Sequence, residues 1–129
     1  MALKRRHGQI VSDLCRQQVL LPQGHVQVLL NMLAFKLNPQ QALDAPRICI
    51  GAGMPDEGKV LDMTVYLEEG ISEEAKDQLR AMGHKAEIVK GFGRSLFGRG
   101  QLIRSSIDDE LQVFSGGSDL RGDGAAFPA

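Results

Sequence analysis

Thr64, Cys15, Cys49 and the adjacent Ser105 and Ser106 are the nucleophile candidates of this chain, and His7, His25 and His84 are the bases that could activate them. A hydroxyl or thiol attacks poorly until a base lies within hydrogen-bond reach. No GxSxG elbow occurs, and no Ser or Cys has a His in an obvious sequence relation to it. Triads assemble in space, so spacing speaks only to local arrangements. The sole threonine, Thr64, lies inside the apolar run VLDMTVYLEE. Two cysteines without a CxxC pair, and three scattered histidines, do not have the spacing of a zinc site. Cys49, inside RICI, is expected to be a buried free thiol; a Cys15–Cys49 disulfide needs a geometry that spacing does not supply.

The glycine-rich stretch GFGRSLFGRG resembles a phosphate cradle until its spacing is counted. Gly91 and Gly93 are followed by Leu96 where a dinucleotide fingerprint requires glycine, and no GK[ST] occurs. No cofactor is expected. Lys90, Arg94, Arg99 and Arg104, interleaved with Phe92 and Phe97, have the residue types that grip single-stranded nucleic acid by charge and stacking. The acidic overall balance favours a plain hairpin loop instead, and no nucleic-acid partner is expected. Arg121, Gly122 and Asp123 spell an adhesion tripeptide, for which a turn is the better reading. Asp119 and Arg121 stand two apart and can pair across a tight turn, so they are assigned as a structural clamp rather than a catalytic pair. No catalytic, substrate-binding or metal residue is assigned.

The elements that would position these residues follow from length and pattern. A chain of 129 residues makes one domain at most, with 43% hydrophobic and 24% charged residues, an ordinary globular composition. Its apolar runs are far shorter than a bilayer span. Net charge is −1, but residues 1–16 carry Lys4, Arg5, Arg6 and Arg16 against Asp13 (4 − 1 = +3), leaving −1 − 3 = −4 for the rest. That start has no apolar segment of signal-peptide length, and compartment is not legible in it.

Val26, Leu29, Leu30, Leu33 and Leu37 recur at helical spacing, and Val28, Met32 and Phe35 add apolar surface on the other side, predicting a helix over 26–37 covered on both sides. Gly24 marks its approach and Lys36 favours its C-terminal dipole. Asn38 and Pro39 supply the cap and first position of a short helix, QQALDA, which Pro46 stops. A strand is predicted at 47–50, a loop over 51–58, and a second strand over 60–67. Ser72, Glu73 and Glu74 open a helix that Gly83 ends, with Leu79 and Met82 toward the sheet and Ala86, Ile88 and Val89 in the next strand. After the glycine loop come a hairpin, 101–107 and 111–115, and a last edge strand at 125–127. No internal repeat occurs. Together these make an α+β chain.

The blocks PQGHVQVLLNMLAFKLNPQQALDAPRIC at 22–49 and GGSDLRGDG at 116–124 carry a family resemblance. Together they resemble the C-terminal part of the small subunit of gamma-glutamyltransferases, also called glutathione hydrolases. The order between them, a strand, a helix ending in GHK and a glycine loop with GRGQ, is similar to that family's. The match covers about 21–129 and leaves 1–20 as an unmatched basic arm. It implies the C-terminal portion of an αββα amino-terminal nucleophile hydrolase sandwich, incomplete here. It also implies gamma-glutamyl transfer or hydrolysis on glutathione-like substrates through an N-terminal threonine acyl-enzyme. This chain departs from that pattern in four places. Thr64 is not followed by a His, Gln17 and Gln18 stand near the family's oxyanion glycines, and Ser105 and Ser106 are not in the context of its carboxylate-binding serines. Leu120 replaces the proline between Asp119 and Arg121. The expectation is a fragment or degenerate copy, inactive alone and partnered by an upstream segment, a large subunit or its own copies. The alternative is a non-catalytic interaction domain on the same scaffold.

Overall fold

The structure is a computed structural model in which residues 2–5, 8–14, 21–51, 63–108 and 110–127 are described. The chain folds as two compact units: residues 1–15, 25–45 and 99–129 in the first, and 16–24 with 46–98 in the second.

The first unit is a four-stranded sheet in the order β1-β2-β6-β7, antiparallel throughout. Its strands are β1 (Ala2–Arg5), β2 (Gly8–Leu14), β6 (Gly100–Asp108) and β7 (Leu111–Ser118). The helices α1 (Leu21–Leu33), whose first turn is grouped with the second unit, and α2 (Pro39–Asp44) supply the rest. Val28, Met32, Ala42, Leu43 and Leu102 make its core, with Leu37 packed against them. Fully burying side chains of this size stabilises by roughly 1.5–3 kcal/mol each.

Helix α1 starts earlier than its apolar period suggests, because Pro22 is compatible with a first turn, where its missing N–H has no partner to lose. Gly24 therefore lies inside the helix rather than before it. Lys36 falls beyond the end, in a left-handed conformation (φ 60°), where it is not placed for the dipole. Both faces of α1 are apolar, so periodicity could not decide between them. Val28 and Met32 are the buried stripe, while Val26, Leu30 and Phe35 are exposed, which corrects the expectation of cover on both sides. Helix α2 forms as read. Asn38 accepts from Gln41 N–H (2.8 Å), the Gln41 side chain accepts from Asn38 N–H (3.1 Å), and Pro39 opens the helix.

The hairpin runs further than expected, with β7 reaching Ser118 and Glu110 turning at φ 68°. A Cβ on Gly117 would meet the backbone of Pro39 and Gln40 at 2.8–2.9 Å, so only glycine lets α2 sit on this strand. Residues 124–127 do not form the expected strand. Gly124 packs against the side chains of Gln101 and Ser118, and Ala126 lies near Gly116, so this tail crosses the sheet face instead of extending its edge.

In the second unit, β3 (Ile48–Ile50), β4 (Val65–Glu68) and β5 (Ala86–Val89) form a sheet in that order. β3 and β4 are antiparallel; β4 and β5 are parallel, the geometry a helical crossover permits, here through α3 (Glu73–Ala81). β4 begins at Val65, later than the strand read over 60–67, of which 60–62 lie outside the described residues. Ser72 caps α3, and Glu73 and Glu74 occupy its first turn. At its far end Gly83 N–H reaches Arg80 O (2.9 Å) and His84 N–H reaches Leu79 O (3.0 Å), a Schellman pair that requires the positive φ of Gly83 (92°). Leu79 joins the core of Val65, Leu67 and Ala86. Met82 is exposed, contrary to the reading, because it is the C-cap residue and no longer follows the helical period. The glycine-rich loop is a 3-10 helix over Gly91–Phe97, bracketed by Gly91 (φ 56°) and Gly98 (φ 73°).

Candidate functional site

The shortness of α2 creates the demand that the most distinctive polar site meets. A helix leaves its last carbonyls without intrahelical donors, and Pro46 stops this one after two turns. Arg121 supplies the donors: its Nη1 reaches Leu43 O (2.9 Å) and its Nη2 reaches Ala45 O (3.2 Å). A cation there also complements the negative end of the helix dipole. The same Nη1 donates to Asp119 Oδ1 (2.9 Å), and both side chains are only 2% exposed. The carboxylate is occupied on both oxygens, Oδ1 also accepting from Arg121 N–H (3.0 Å) and Oδ2 from Gly100 N–H (2.9 Å). Leu120 lies between the pair, half-exposed.

A second link ties α2 to β7. The side-chain amide of Gln40 donates to Ser118 O (2.9 Å) and accepts from Ser118 N–H (3.1 Å), mimicking a strand partner. The structure thus brings NPQQALDA and GGSDLRGDG together, 78 residues apart at the Gln40–Ser118 bonds. Asp119 and Arg121 were picked out in the sequence; Gln40 was not, because a glutamine on a short helix is ordinarily a solvated one.

Arg47 and Glu68 were also missed. Arg47 is buried, donating from Nη1 to Phe97 O (3.2 Å) and Gly98 O (3.4 Å), while its N–H donates to Glu68 Oε2 (2.9 Å). Arg94 Nε stands 3.8 Å from Glu68 Oε1. The available signal was a charge flanking each apolar strand, Arg47 before ICI and Glu68 ending VYLE.

Among the described residues the nucleophile candidates are not assembled into a reactive centre. Thr64 is buried, and its carbonyl accepts from Gly51 N–H (3.2 Å). Cys49 is a buried free thiol as expected, with burial pushing its pKa up to about 11, so it remains unreactive at neutral pH. Ser105 and Ser106 are consecutive on β6 and therefore point to opposite faces; Ser105 Oγ accepts from Gln112 (3.1 Å). His25 sits within α1 and His84 beyond α3. Gln17, Gln18 and Cys15 lie outside the described residues, as does His7. No group of three or more His, Cys, Asp or Glu among the described residues could hold a metal ion. The basic, aromatic segment is not a stacking platform, since Phe97 is buried and only Phe92 projects into solvent. Arg121 of the adhesion tripeptide is likewise committed internally.

These elements match solved structures closely. The transpeptidase CapD of Bacillus anthracis superposes with a TM-score of 0.76 at 20% identity, over 100% of this chain and 68% of that one. The cephalosporin acylase of Bacillus halodurans matches at 36% identity and a TM-score of 0.63, over 84% of this chain and 18% of that one. The fold is thus part of the αββα sandwich of the amino-terminal nucleophile hydrolases. The sequence profile of the gamma-glutamyltranspeptidases matches residues 20–129. The glutathione hydrolase-like YwrD proenzyme of Bacillus subtilis is 30% identical over 112 residues, 81% of this chain. The chain belongs to the gamma-glutamyltranspeptidase family. It spans 18% of the length of that curated relative.

Proposed function

We propose that these residues are the C-terminal scaffold of a gamma-glutamyl transfer or hydrolysis enzyme, and that they are inactive alone. In this reading the attacking threonine comes from an upstream segment of the same small subunit, outside these 129 residues. The observation that carries it is the burial of Thr64, at 1% exposure, in a chain whose polar clusters are spent on internal carbonyls. A nucleophile must reach an acyl carbonyl at about 3–3.5 Å, which a sealed side chain cannot do. Asp119 and Arg121 serve folding, holding the end of α2 and the turn after β7 in one place. The names of the relatives, a proenzyme, a transpeptidase and an acylase, support acyl transfer as the reaction class. Among the described residues no helix is long and apolar enough to cross a membrane.

Release of p-nitroaniline from a gamma-glutamyl anilide tests this. The purified chain should show background hydrolysis only. Turnover that survives Thr64→Ala and disappears with another single substitution would mean an unrecognised site and end the scaffold reading. Activity gained by adding an upstream family segment favours the enzyme. A folded chain that takes up such a segment without gaining activity favours the non-catalytic interaction domain.

A further inference from the structure

Two glutamines on different helices make the same pair of bonds, each to the last residue of an outer strand. Gln40, in α2, donates to Ser118 O (2.9 Å) and accepts from Ser118 N–H (3.1 Å). Gln23, in the first turn of α1, donates to Ile50 O (3.1 Å) and accepts from Ile50 N–H (2.9 Å). Ser118 ends β7 and Ile50 ends β3, and each strand is the last in its sheet among the described residues. A primary amide carries both an acceptor and a donor, and only one orientation of it serves the N–H and the carbonyl of one residue together.

The phase of each ladder shows that both targets face away from the sheet. Asp119 N–H donates to Gly100 O (3.0 Å), so the odd-numbered residues of β7 bond β6 and Ser118 points outward. In the other sheet Gly51 N–H donates to Thr64 O (3.2 Å) and Glu68 N–H to Arg47 O (2.9 Å). The odd-numbered residues of β3 therefore bond β4, and Ile50 points outward. These are the groups to which a neighbouring strand would bond. Each glutamine meets them as one residue of such a strand would, with one donor and one acceptor. β5 is treated in a similar way. Val65 N–H donates to Lys85 O (2.7 Å), which turns Ala86 O outward, and Arg80 of α3 donates to that carbonyl from Nε (3.1 Å) and Nη2 (2.8 Å).

We propose that Gln23 and Gln40 are strand stops: each supplies a side-chain amide as a surrogate strand residue and closes its sheet edge, at Ile50 and at Ser118, against the addition of another strand. An unfilled outward pair is a template for strand addition, and a filled pair is not. Two features hold the Gln40 stop in place. Its other amide N–H donates to Asp44 Oδ1 (2.8 Å), which fixes the orientation of the amide. The backbone of Pro39 and Gln40 lies 2.8–2.9 Å from a Cβ built on Gly117, so α2 also fills the space beside the end of β7. Because the donors and acceptors come from within the chain, the stops hold whatever polypeptide adjoins it. They use no residue assigned to acyl transfer, and the proposal is independent of that reading.

Backbone amide exchange of the full 129-residue chain, read residue by residue by NMR, tests the bonds. In the parent, Ser118 and Ile50 should exchange far more slowly than unstructured amides, although neither N–H points to a strand of its own sheet. Gln40→Ala should speed Ser118 about tenfold, the loss of roughly one net hydrogen bond, and leave Ile50 unchanged; Gln23→Ala should do the reverse. Gly117 and Cys49, whose N–H groups face β6 and β4, are the internal references. Thioflavin T assembly reads the stop itself, with each protein held the same number of degrees below its own melting temperature. Each glutamine variant should have a shorter lag than the parent. Val65→Ala, which truncates the core on β4 and leaves both stops in place, should not. Unprotected Ser118 and Ile50 in the parent, or reference amides that accelerate as much as the targets, overturn the bonds. Unchanged lags in the glutamine variants, or an equally short lag for Val65→Ala, overturn the stop.

Discussion

Arg121→Ala is the sharpest test of the clamp because the structure specifies what is lost and what remains. The substitution removes donors from Leu43 O and Ala45 O and the cationic partner from Asp119, inside a site where both side chains are 2% exposed. Breaking one side of a buried pair costs about 3–5 kcal/mol, since the surviving charge stays desolvated. Asp119 keeps two backbone donors, Gly100 N–H and Arg121 N–H, which places the expected loss at the lower end of that range. A cost of about 3 kcal/mol lowers the melting temperature of a domain this size by roughly 10 °C. Arg121→Lys should fall between parent and Ala, because an ammonium keeps the charge without the planar fork that reaches two carbonyls and a carboxylate together. Thermal and urea unfolding at neutral pH, followed by circular dichroism, provides the measurement. An Arg121→Ala protein that melts with the parent, yet lowers substrate affinity in a reconstituted complex, would refute the structural role and move Arg121 into a site.

Two other expectations follow from packing and ionisation. Gly117→Ala forces a Cβ to within 2.8 Å of Pro39 C and should lower stability measured by urea midpoint. Overpacking of this kind costs about 1–3 kcal/mol. Gly116→Ala meets the side chain of Ala126 at 3.2 Å, in the exposed tail, and Leu102 O at an ordinary 3.9 Å, and serves as the tolerant control. The Cys49 thiol is raised to about 11, so the folded state favours the neutral form. Its stabilising contribution is complete below the unfolded thiol pKa of about 8.5 and is lost as pH rises toward 11. Peptide-mapped alkylation of Cys49 should be negligible in the native chain at neutral pH and rapid in urea; equal rates would contradict the burial.

Much of the fold was legible because its signals are local. Asn38 followed by Pro39 announces α2, Ser72 with two glutamates announces α3, and Gly83 marks its end; each acts through backbone donors or conformations within a few residues. The blocks at 22–49 and 116–124 were sufficient to place the chain in its family. The early start of α1 was not legible, because proline in a first turn reads equally well as a break. The conversion of the glycine stretch into a 3-10 helix depended on two positive-φ glycines closing around Phe97, a residue whose burial a linear pattern does not disclose.

The amino-acid sequence by itself determined the helix caps, the hairpin and the candidate pair Asp119 and Arg121, since these depend on neighbours along the chain. Only the tertiary structure decided which face of α1 is buried, because both faces are apolar and the choice belongs to the core they meet. It alone decided that Gln40 bonds Ser118 and that Arg121 serves the carbonyls of α2. Those demands arise where a helix ends and a strand edge is exposed, and the groups that meet them lie more than seventy residues away, with distances of 76 to 78 positions along the chain. A contact at that separation leaves no periodicity to read, since it is selected by geometry after both segments have folded.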